Sequence, residues 1–221
     1  MNKKIYLLPI LLFVLALTSC EETKEVSKYD NWQSRNDAFI DSLRSVYDQG
    51  TVDKDGRKLE RFALLTAPDN YIYYKVLDPV TGTPTENNPY EYIEGYEKSD
   101  IRPLYTDTVN VYYRGTLING EYFDGFKGPN PTVFDRPIRV GVSGLLGGST
   151  GVVVGWTEVL QRMTVGARWK VFIPWEYAYG SSSQTGSGDG VDIPAYSALI
   201  FDMQLYNIDN ASSNSLEVEE E

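Results

Sequence analysis

The chain has 221 residues, enough for one substantial core with extensions, and a formal net charge of −11. It contains no histidine and one cysteine, Cys20, which excludes Ser-His-Asp catalysis, Cys-His catalysis and histidine-ligated zinc. The acidic charge argues against nucleic acid as a partner, because Lys and Arg supply most of the affinity for phosphates.

The first 19 residues have the pattern of a signal peptide. Lys3 and Lys4 precede an apolar run, Ile5 to Leu17, that is too short to span a bilayer comfortably. Small residues then lead into Cys20, and this resembles a bacterial lipobox, with cleavage before Cys20, attachment of a diacylglycerol to its thiol and acylation of its amino group. The alternative is an ordinary signal peptide followed by an unrelated cysteine.

The lipobox predicts a protein held by acyl chains such as palmitate in a bacterial cell envelope, and the outer membrane is the expected site. Each buried methylene contributes about 0.8 kcal/mol, so several chains anchor a protein firmly. Lipidation also leaves no free thiol for a disulfide, a nucleophile or a metal. Glu21 and Glu22 are either a surface-export signal or a charged spacer, so the periplasmic face and the cell surface both stay open.

Residues 20–60 are expected to form the anchor, a polar tether and one amphipathic helix. Helical spacing runs from Asn31 to Asp48, with Asn31 as a possible cap and Gly50 as a possible end. The apolar face consists of Phe39, Leu43, Val46 and Tyr47. That face covers the main domain, a second copy or a partner, and packing on its own domain is the default expectation.

We expect residues 61–209 to form the main domain and residues 210–221 to form a disordered acidic tail. Aromatic and β-branched runs predict strands at 62–65, 71–77, 108–117, 134–140, 168–173 and 199–206, with a strand end at 121–125. One short helix is predicted over 157–163, and residues 80–103 form a long insertion that serves as a surface cover or a short extra strand. The fold class is α+β, an antiparallel sheet wrapped around one short helix, with an N-terminal helical extension.

Two glycine-rich stretches resemble ligand-binding loops, but neither has the residues that such a loop needs. Residues 144–151 (GLLGGSTG) lack the lysine of a phosphate-binding loop. Asp189 and Asp192 supply too few oxygens for a calcium cage and favour a turn. The sequence therefore predicts no metal and no cofactor.

Asp124 stands out because of the aromatic and aliphatic residues predicted around it. An Asp before a Gly is usually a turn residue. Here Tyr113, Tyr179 and Trp156 accompany it, together with the aliphatic residues Val152, Val153 and Ile193. This combination predicts an aromatic-lined hollow with a single carboxylate at its wall, suited to an apolar ring.

Several motifs in one order resemble those of the FKBP-type peptidyl-prolyl cis-trans isomerases, the family that binds the macrolide FK506. The similar stretch covers about residues 71–208. Its strongest parts are VYYRG at 111–115, YFDG at 122–125, GW at 155–156, MTVG at 163–166, YAYG at 177–180, IP at 193–194 and FD at 201–202.

The resemblance implies a role for each matching position. Trp156 would be the pocket floor, and Tyr113, Phe123 and Phe201 its walls. Val152 and Val153 would form the edge, with the Val153 N–H and the Tyr179 hydroxyl binding the substrate peptide. Asp124 would lie beside the twisting amide, and Ile193 would close one side. Ile138 occupies a wall position that is usually aromatic, and longer loops frame the mouth.

The implied activity is prolyl isomerisation of envelope or surface proteins, with proline-containing polypeptides as partners and an FK506-like macrolide as a possible ligand. The alternative, which Ile138 and the longer loops favour, is a binding module of FKBP shape with little catalysis.

Overall fold

The structure is a computed structural model that describes residues 27–144 and 152–209. The chain divides into two compact units, Met1–Asp30 and Asn31–Glu221, and only residues 27–30 of the first are described. The predicted signal peptide, Cys20, the acidic tail and nearly all of the 144–151 stretch lie outside the described residues. Within the described ranges, no helix is both long enough and apolar enough to cross a membrane.

Helix α1 spans Trp32–Asp48 and packs on the sheet of its own domain. Leu43 joins a cluster with Leu59, Tyr73 and Phe172, and the rings of Phe39 and Tyr47 pack against that cluster. The expectation that α1 covers the main domain is therefore confirmed. The structural division falls between residues 30 and 31, so α1 belongs with the sheet.

The predicted helix differs from the structure in two details. Asn31 occupies the N-cap position, as predicted, but it has a left-handed φ of 53° and makes no side-chain capping hydrogen bond. Val46 is exposed, whereas Trp32 and Asn36 are buried, so the packed face extends about two turns further toward the N-terminus than predicted.

Within residues 27–144 and 152–209, seven strands form one antiparallel sheet. They are β1 (Glu60–Ala63), β2 (Tyr71–Leu77), β3 (Thr108–Thr116), β4 (Tyr122–Gly125), β5 (Ile138–Gly141), β6 (Arg168–Ile173) and β7 (Leu199–Asp209). The spatial order is β1-β2-β6-β7-β3-β4, and β5 also pairs with β3. A short helix α2 (Val154–Leu160) precedes β6, and a 3₁₀ turn (Trp175–Tyr177) follows it. The predicted α+β class is confirmed.

The element bounds differ from the predictions where turns intervene. Strand β5 begins at Ile138 rather than at residue 134, because the Thr132 side chain and backbone bond to Asp135 and hold a turn there. Helix α2 begins at Val154 and ends at Leu160, after which Val159 O accepts from Met163 N in a closing turn.

Successive side chains along the central strands point to opposite faces of the sheet. On β6, Phe172 packs toward α1, whereas Ile173 meets α2 at Gly155. A Cβ on Gly155 would lie 2.5 Å from the Ile173 side chain, so glycine permits this close approach. Helix α2 therefore lies on the inner face and α1 on the outer face.

Residues 80–103 cover a further part of the outer face and contain no strand. Val80 and Ile93 form a buried cluster with Tyr112 and Phe126, and the rings of Tyr96 and Tyr206 pack against it. Val80 is also fixed by Gln204, whose side chain accepts from its N–H at 2.9 Å and donates to its carbonyl at 2.7 Å. Of the two expectations for this insertion, the cover is correct.

Candidate functional site

One cavity of about 290 Å³ opens between α2 and the inner face of the sheet. Its lining consists of Tyr113, Phe123, Asp124, Ile138, Val140, Val152, Val153, Trp156, Tyr179 and Phe201. Every predicted pocket residue except Ile193 lines it. Strands β3, β4, β5 and β7, helix α2 and the loop after β6 thus bring together residues that lie far apart in sequence.

The floor of the cavity is an aromatic cluster centred on Trp156. The indole makes perpendicular contacts with Tyr113 at 5.1 Å and with Phe201 at 5.2 Å between ring centroids. Phe123 meets Phe201 at 5.6 Å, also perpendicular. Trp156 is only 4% exposed, and its Nε1 has no hydrogen-bond partner among the described residues. The floor is therefore a closely packed aromatic surface.

Asp124 is held at the wall by two hydrogen bonds. Its Oδ2 accepts from the Tyr113 hydroxyl at 2.5 Å, and its Oδ1 accepts from the Gly125 N–H at 2.8 Å. Burial raises the pKa of Tyr113 well above its usual value, and the bond to Asp124 raises that pKa further. The phenol consequently stays protonated and keeps donating to the carboxylate.

Tyr179 lies on the rim of the cavity, in the loop that follows the 3₁₀ turn. Its ring lines the cavity while 40% of the residue remains exposed, which suits a hydroxyl that meets an incoming ligand. Burial and the nearby charge of Asp124 raise the pKa of this phenol, so it too remains a neutral donor at physiological pH.

Comparisons with known proteins match this site. The family model described as "FKBP-type peptidyl-prolyl cis-trans isomerase" matches residues 99–206, which include every lining residue of the cavity. Residues 99–206 form an FKBP-type domain.

Named relatives agree with this assignment. The chain is 37% identical over 106 residues to "FKBP-type 22 kDa peptidyl-prolyl cis-trans isomerase" of Escherichia coli (strain K12), covering 48% of this chain and 43% of that protein. It is 39% identical over 107 residues to "Macrophage infectivity potentiator" of Trypanosoma cruzi, covering 48% and 45%. It is 32% identical over 142 residues to "Outer membrane protein MIP" of Legionella longbeachae, covering 64% and 46%. The chain thus spans less than half the length of these relatives.

Ile193 belongs to the FKBP-type domain but does not line its cavity, contrary to the prediction. The residue is buried, and its backbone exchanges two hydrogen bonds with Gln184 at 2.8 and 2.9 Å. That pairing closes the loop between Tyr179 and β7 on itself. Ile193 therefore supports the loop rather than the cavity wall.

The sequence analysis missed two features of the site. Val140 lines the cavity with Ile138, and the period of two along β5 could have revealed it. Gly125 has a φ of +93°, and a Cβ there would lie 2.0 Å from Tyr113 O. Its place directly after Asp124 was a usable signal that the strand end needs a glycine.

A second cavity of about 580 Å³ adjoins the first and shares Tyr113, Asp124 and Ile138 with it. Its rim carries an ion pair between Lys127 and Asp189 at 2.8 Å. The Asp189 carboxylate is thus engaged by a lysine side chain. The two cavities therefore meet at the three residues that they share.

Proposed function

We propose that this chain is a peptidyl-prolyl cis-trans isomerase that acts on X-Pro bonds of envelope or surface polypeptides. The observation that carries the proposal is the arrangement of the Trp156 floor, the Tyr113–Asp124 pair and the Tyr179 hydroxyl around one cavity. The printed names of the relatives support the same reaction.

The reaction needs no nucleophile, metal or redox group. Amide resonance gives the X-Pro bond a rotation barrier of about 18–20 kcal/mol. Catalysis requires only that the twisted amide is bound more tightly than either planar form. A thousandfold acceleration corresponds to about 4 kcal/mol, at 1.36 kcal/mol per factor of ten.

The cavity would lower the barrier chiefly by removing water from the amide. The planar amide is the more charge-separated form, with extra negative charge on oxygen, and an apolar surrounding disfavours it relative to the twisted form. Trp156 would hold the proline ring while the residue before the proline rotates. The Val153 N–H and the Tyr179 hydroxyl would fix the substrate backbone by hydrogen bonds.

Asp124 would add an electrostatic preference for the twisted amide. Its carboxylate is fixed by Tyr113 and Gly125 and borders the cavity. When the amide twists, its carbonyl oxygen carries less negative charge, so repulsion between that oxygen and the carboxylate falls. A fixed negative charge beside the carbonyl thus favours the transition state over the ground state.

The proposed location is the bacterial envelope, with acyl chains on Cys20 as the anchor. The support is the lipobox-like sequence before Cys20 and a relative whose name places it in an outer membrane. Mass spectrometry of the mature protein from membranes tests this: a diacylated N-terminal Cys20 supports the anchor, and an unmodified Cys20 excludes it.

The deciding experiment measures cis-to-trans conversion of a short X-Pro peptide by the full chain, with and without FK506. We expect turnover well above background and its loss on addition of the macrolide. Background turnover together with retained peptide binding would instead support the alternative, a binding module. Ile138 favours that alternative, because an aliphatic wall 36% exposed stacks less well on a ring than an aromatic wall does.

A further inference from the structure

We infer that helix α1 positions Tyr179, by holding both ends of the loop that carries it. This inference rests on the proposed function for its catalytic consequence, but its structural basis is independent. Helix α1 spans Trp32–Asp48 and lies outside residues 99–206, the part of the chain that matches the FKBP family. The support for Tyr179 would therefore come from this chain's own N-terminal extension.

The C-terminal end of the loop is bonded to the first turns of α1. Trp32 donates its Nε1–H to Ser197 Oγ at 2.8 Å, and Ser197 in turn donates to Pro194 O at 2.6 Å. Asn36 accepts the Ala198 N–H on its Oδ1 at 2.8 Å and donates its Nδ2 to Trp32 O at 2.7 Å. Helix and loop are thus joined by a continuous set of directional bonds.

The N-terminal end of the loop is bonded to the same turns of α1. Asp37 accepts the Trp175 Nε1–H on its Oδ1 at 2.8 Å. Trp175 lies at the start of the 3₁₀ turn, and its carbonyl accepts the Gly180 N–H at 2.9 Å, one residue beyond Tyr179. Asp37 is therefore connected to the Tyr179 segment through the Trp175 side chain and the hydrogen bond from Gly180 N–H to Trp175 O.

The two ends also meet each other beside Tyr179. The Tyr196 N–H donates to Gly180 O at 2.8 Å, and the Tyr196 ring makes a perpendicular contact with Trp175 at 5.1 Å. Tyr196 has a φ of 61°, which a non-glycine residue keeps only when its surroundings fix it. Those surroundings include Trp175, which α1 holds.

The identity of residue 36 argues that α1 does more than cover the sheet. Asn36 is fully buried on the packed face, where burying an amide is costly unless its hydrogen bonds are made. An aliphatic residue would cover the sheet without that cost. Asn36 instead supplies both of its polar groups, and one of them bonds directly to the end of the loop.

The test compares Asn36→Ala and Asp37→Ala with Leu43→Ala in the full chain. Leu43 packs against Leu59, Tyr73 and Phe172 and makes none of the hydrogen bonds to the loop, so its truncation destabilises the fold and leaves those bonds in place. Asp37→Asn is the conservative partner of Asp37→Ala, because the amide oxygen still accepts the Trp175 N–H. Two quantities are measured: amide hydrogen exchange of residues 178–198, and the kcat/KM for an X-Pro peptide at a temperature where every variant is folded.

We expect Asn36→Ala to accelerate exchange selectively in residues 178–198 and to lower kcat/KM by about three- to tenfold, the loss that follows when a hydrogen-bonding group is misplaced. Asp37→Ala should act in the same direction more weakly, since its bond is exposed, and Asp37→Asn should restore wild-type behaviour. Leu43→Ala should lower the melting temperature and leave kcat/KM and the exchange of the loop relative to the sheet unchanged.

Hydrogen exchange and kcat/KM test the inference and the proposed function separately. If Asn36→Ala and Leu43→Ala change loop exchange alike, α1 merely stabilises the fold and the inference is wrong. An inactive wild-type chain would defeat the proposed function, while selective loop exchange in Asn36→Ala would still support positioning by α1.

Discussion

The hydroxyl of Tyr113 lies 2.5 Å from Oδ2 of Asp124, across two antiparallel strands that pair directly beside the cavity. This bond fixes the direction in which the carboxylate faces the ligand. The backbone N–H of Gly125 supplies a second bond to the same side chain. The carboxylate is thereby set in place before a ligand arrives.

Replacing Asp124 tests its charge separately from its shape. Asp124→Val should lower kcat/KM by about tenfold or more, because it removes the carboxylate and leaves the Tyr113 hydroxyl without its acceptor. Asp124→Asn keeps the size and one acceptor, so it should retain the fold and lose activity through the charge alone. Peptide turnover and thermal unfolding, measured together, check both. Full activity of Asp124→Asn would show that the charge plays no part.

Tyr179→Phe removes one hydroxyl from the rim and leaves the ring in place. We expect kcat/KM to fall about two- to tenfold, the value of one hydrogen bond, with little change in melting temperature because the residue is substantially exposed. Tyr105→Phe, at an exposed tyrosine that does not line the cavity, is the matched control. Equal activity of the two variants would remove Tyr179 from the site.

Trp156 supports both the fold and the cavity. Trp156→Ala should destabilise the domain by about 3–5 kcal/mol, because it deletes a buried ring contacted by Tyr113 and Phe201. Trp156→Phe keeps an aromatic floor and should fold, with weaker binding of a proline ring. Denaturant unfolding and FK506 affinity measure these effects, and unaltered FK506 affinity in Trp156→Phe would contradict the assignment of the floor.

The raised pKa values of Tyr113 and Tyr179 predict how the domain responds to alkali. Burial, with the bond to Asp124 at Tyr113 and the charge of Asp124 at Tyr179, lifts both pKa values above the usual value of about 10. The unfolded chain then loses these protons first, so stability is retained below about pH 10 and falls as the pH rises beyond it. Melting temperatures across this range measure the fall, and Tyr113→Phe should reduce it. A fall of the same size in Tyr113→Phe would show that Tyr113 does not contribute.

Ile138→Phe tests whether the aliphatic wall limits binding. An added ring at this wall should strengthen contacts with a bound ring by about 0.5–1.5 kcal/mol, or roughly two- to twelvefold in FK506 affinity. Ile138→Leu is the control for a change of shape without a new ring. Affinity that drops in Ile138→Phe would mean that the cavity is already filled at this wall.

Much of the site could be predicted because its residues stand in short, ordered motifs. Trp156, Tyr113, Asp124 and Tyr179 come together as expected, since each lies in one of these motifs. The prediction placed Ile193 in the cavity wall. Its position depends instead on the backbone pairing with Gln184, a local bridge that strand patterns do not reveal.

The support from α1 was less accessible to prediction. Trp32 and Asn36 lie four residues apart, and Asn36 lies seven before Leu43, so both continue the predicted packed face toward the N-terminus. A polar residue at a packed position was the available signal. Its partner, the Ala198 N–H, depends on how the sheet and the loop fold and could not be inferred from spacing.

The outer face of the sheet limits how far this chain can be shortened without exposing apolar residues. Residues 99–206 contain every residue that lines the cavity. On the opposite face of the sheet, however, Tyr112 and Phe126 are covered by Val80 and Ile93, and Phe172 is covered by α1. A fragment trimmed to the family boundary would also lack β1 and β2 and would present these rings to water, where they favour aggregation. Expression of an intact folding unit should therefore start no later than residue 31.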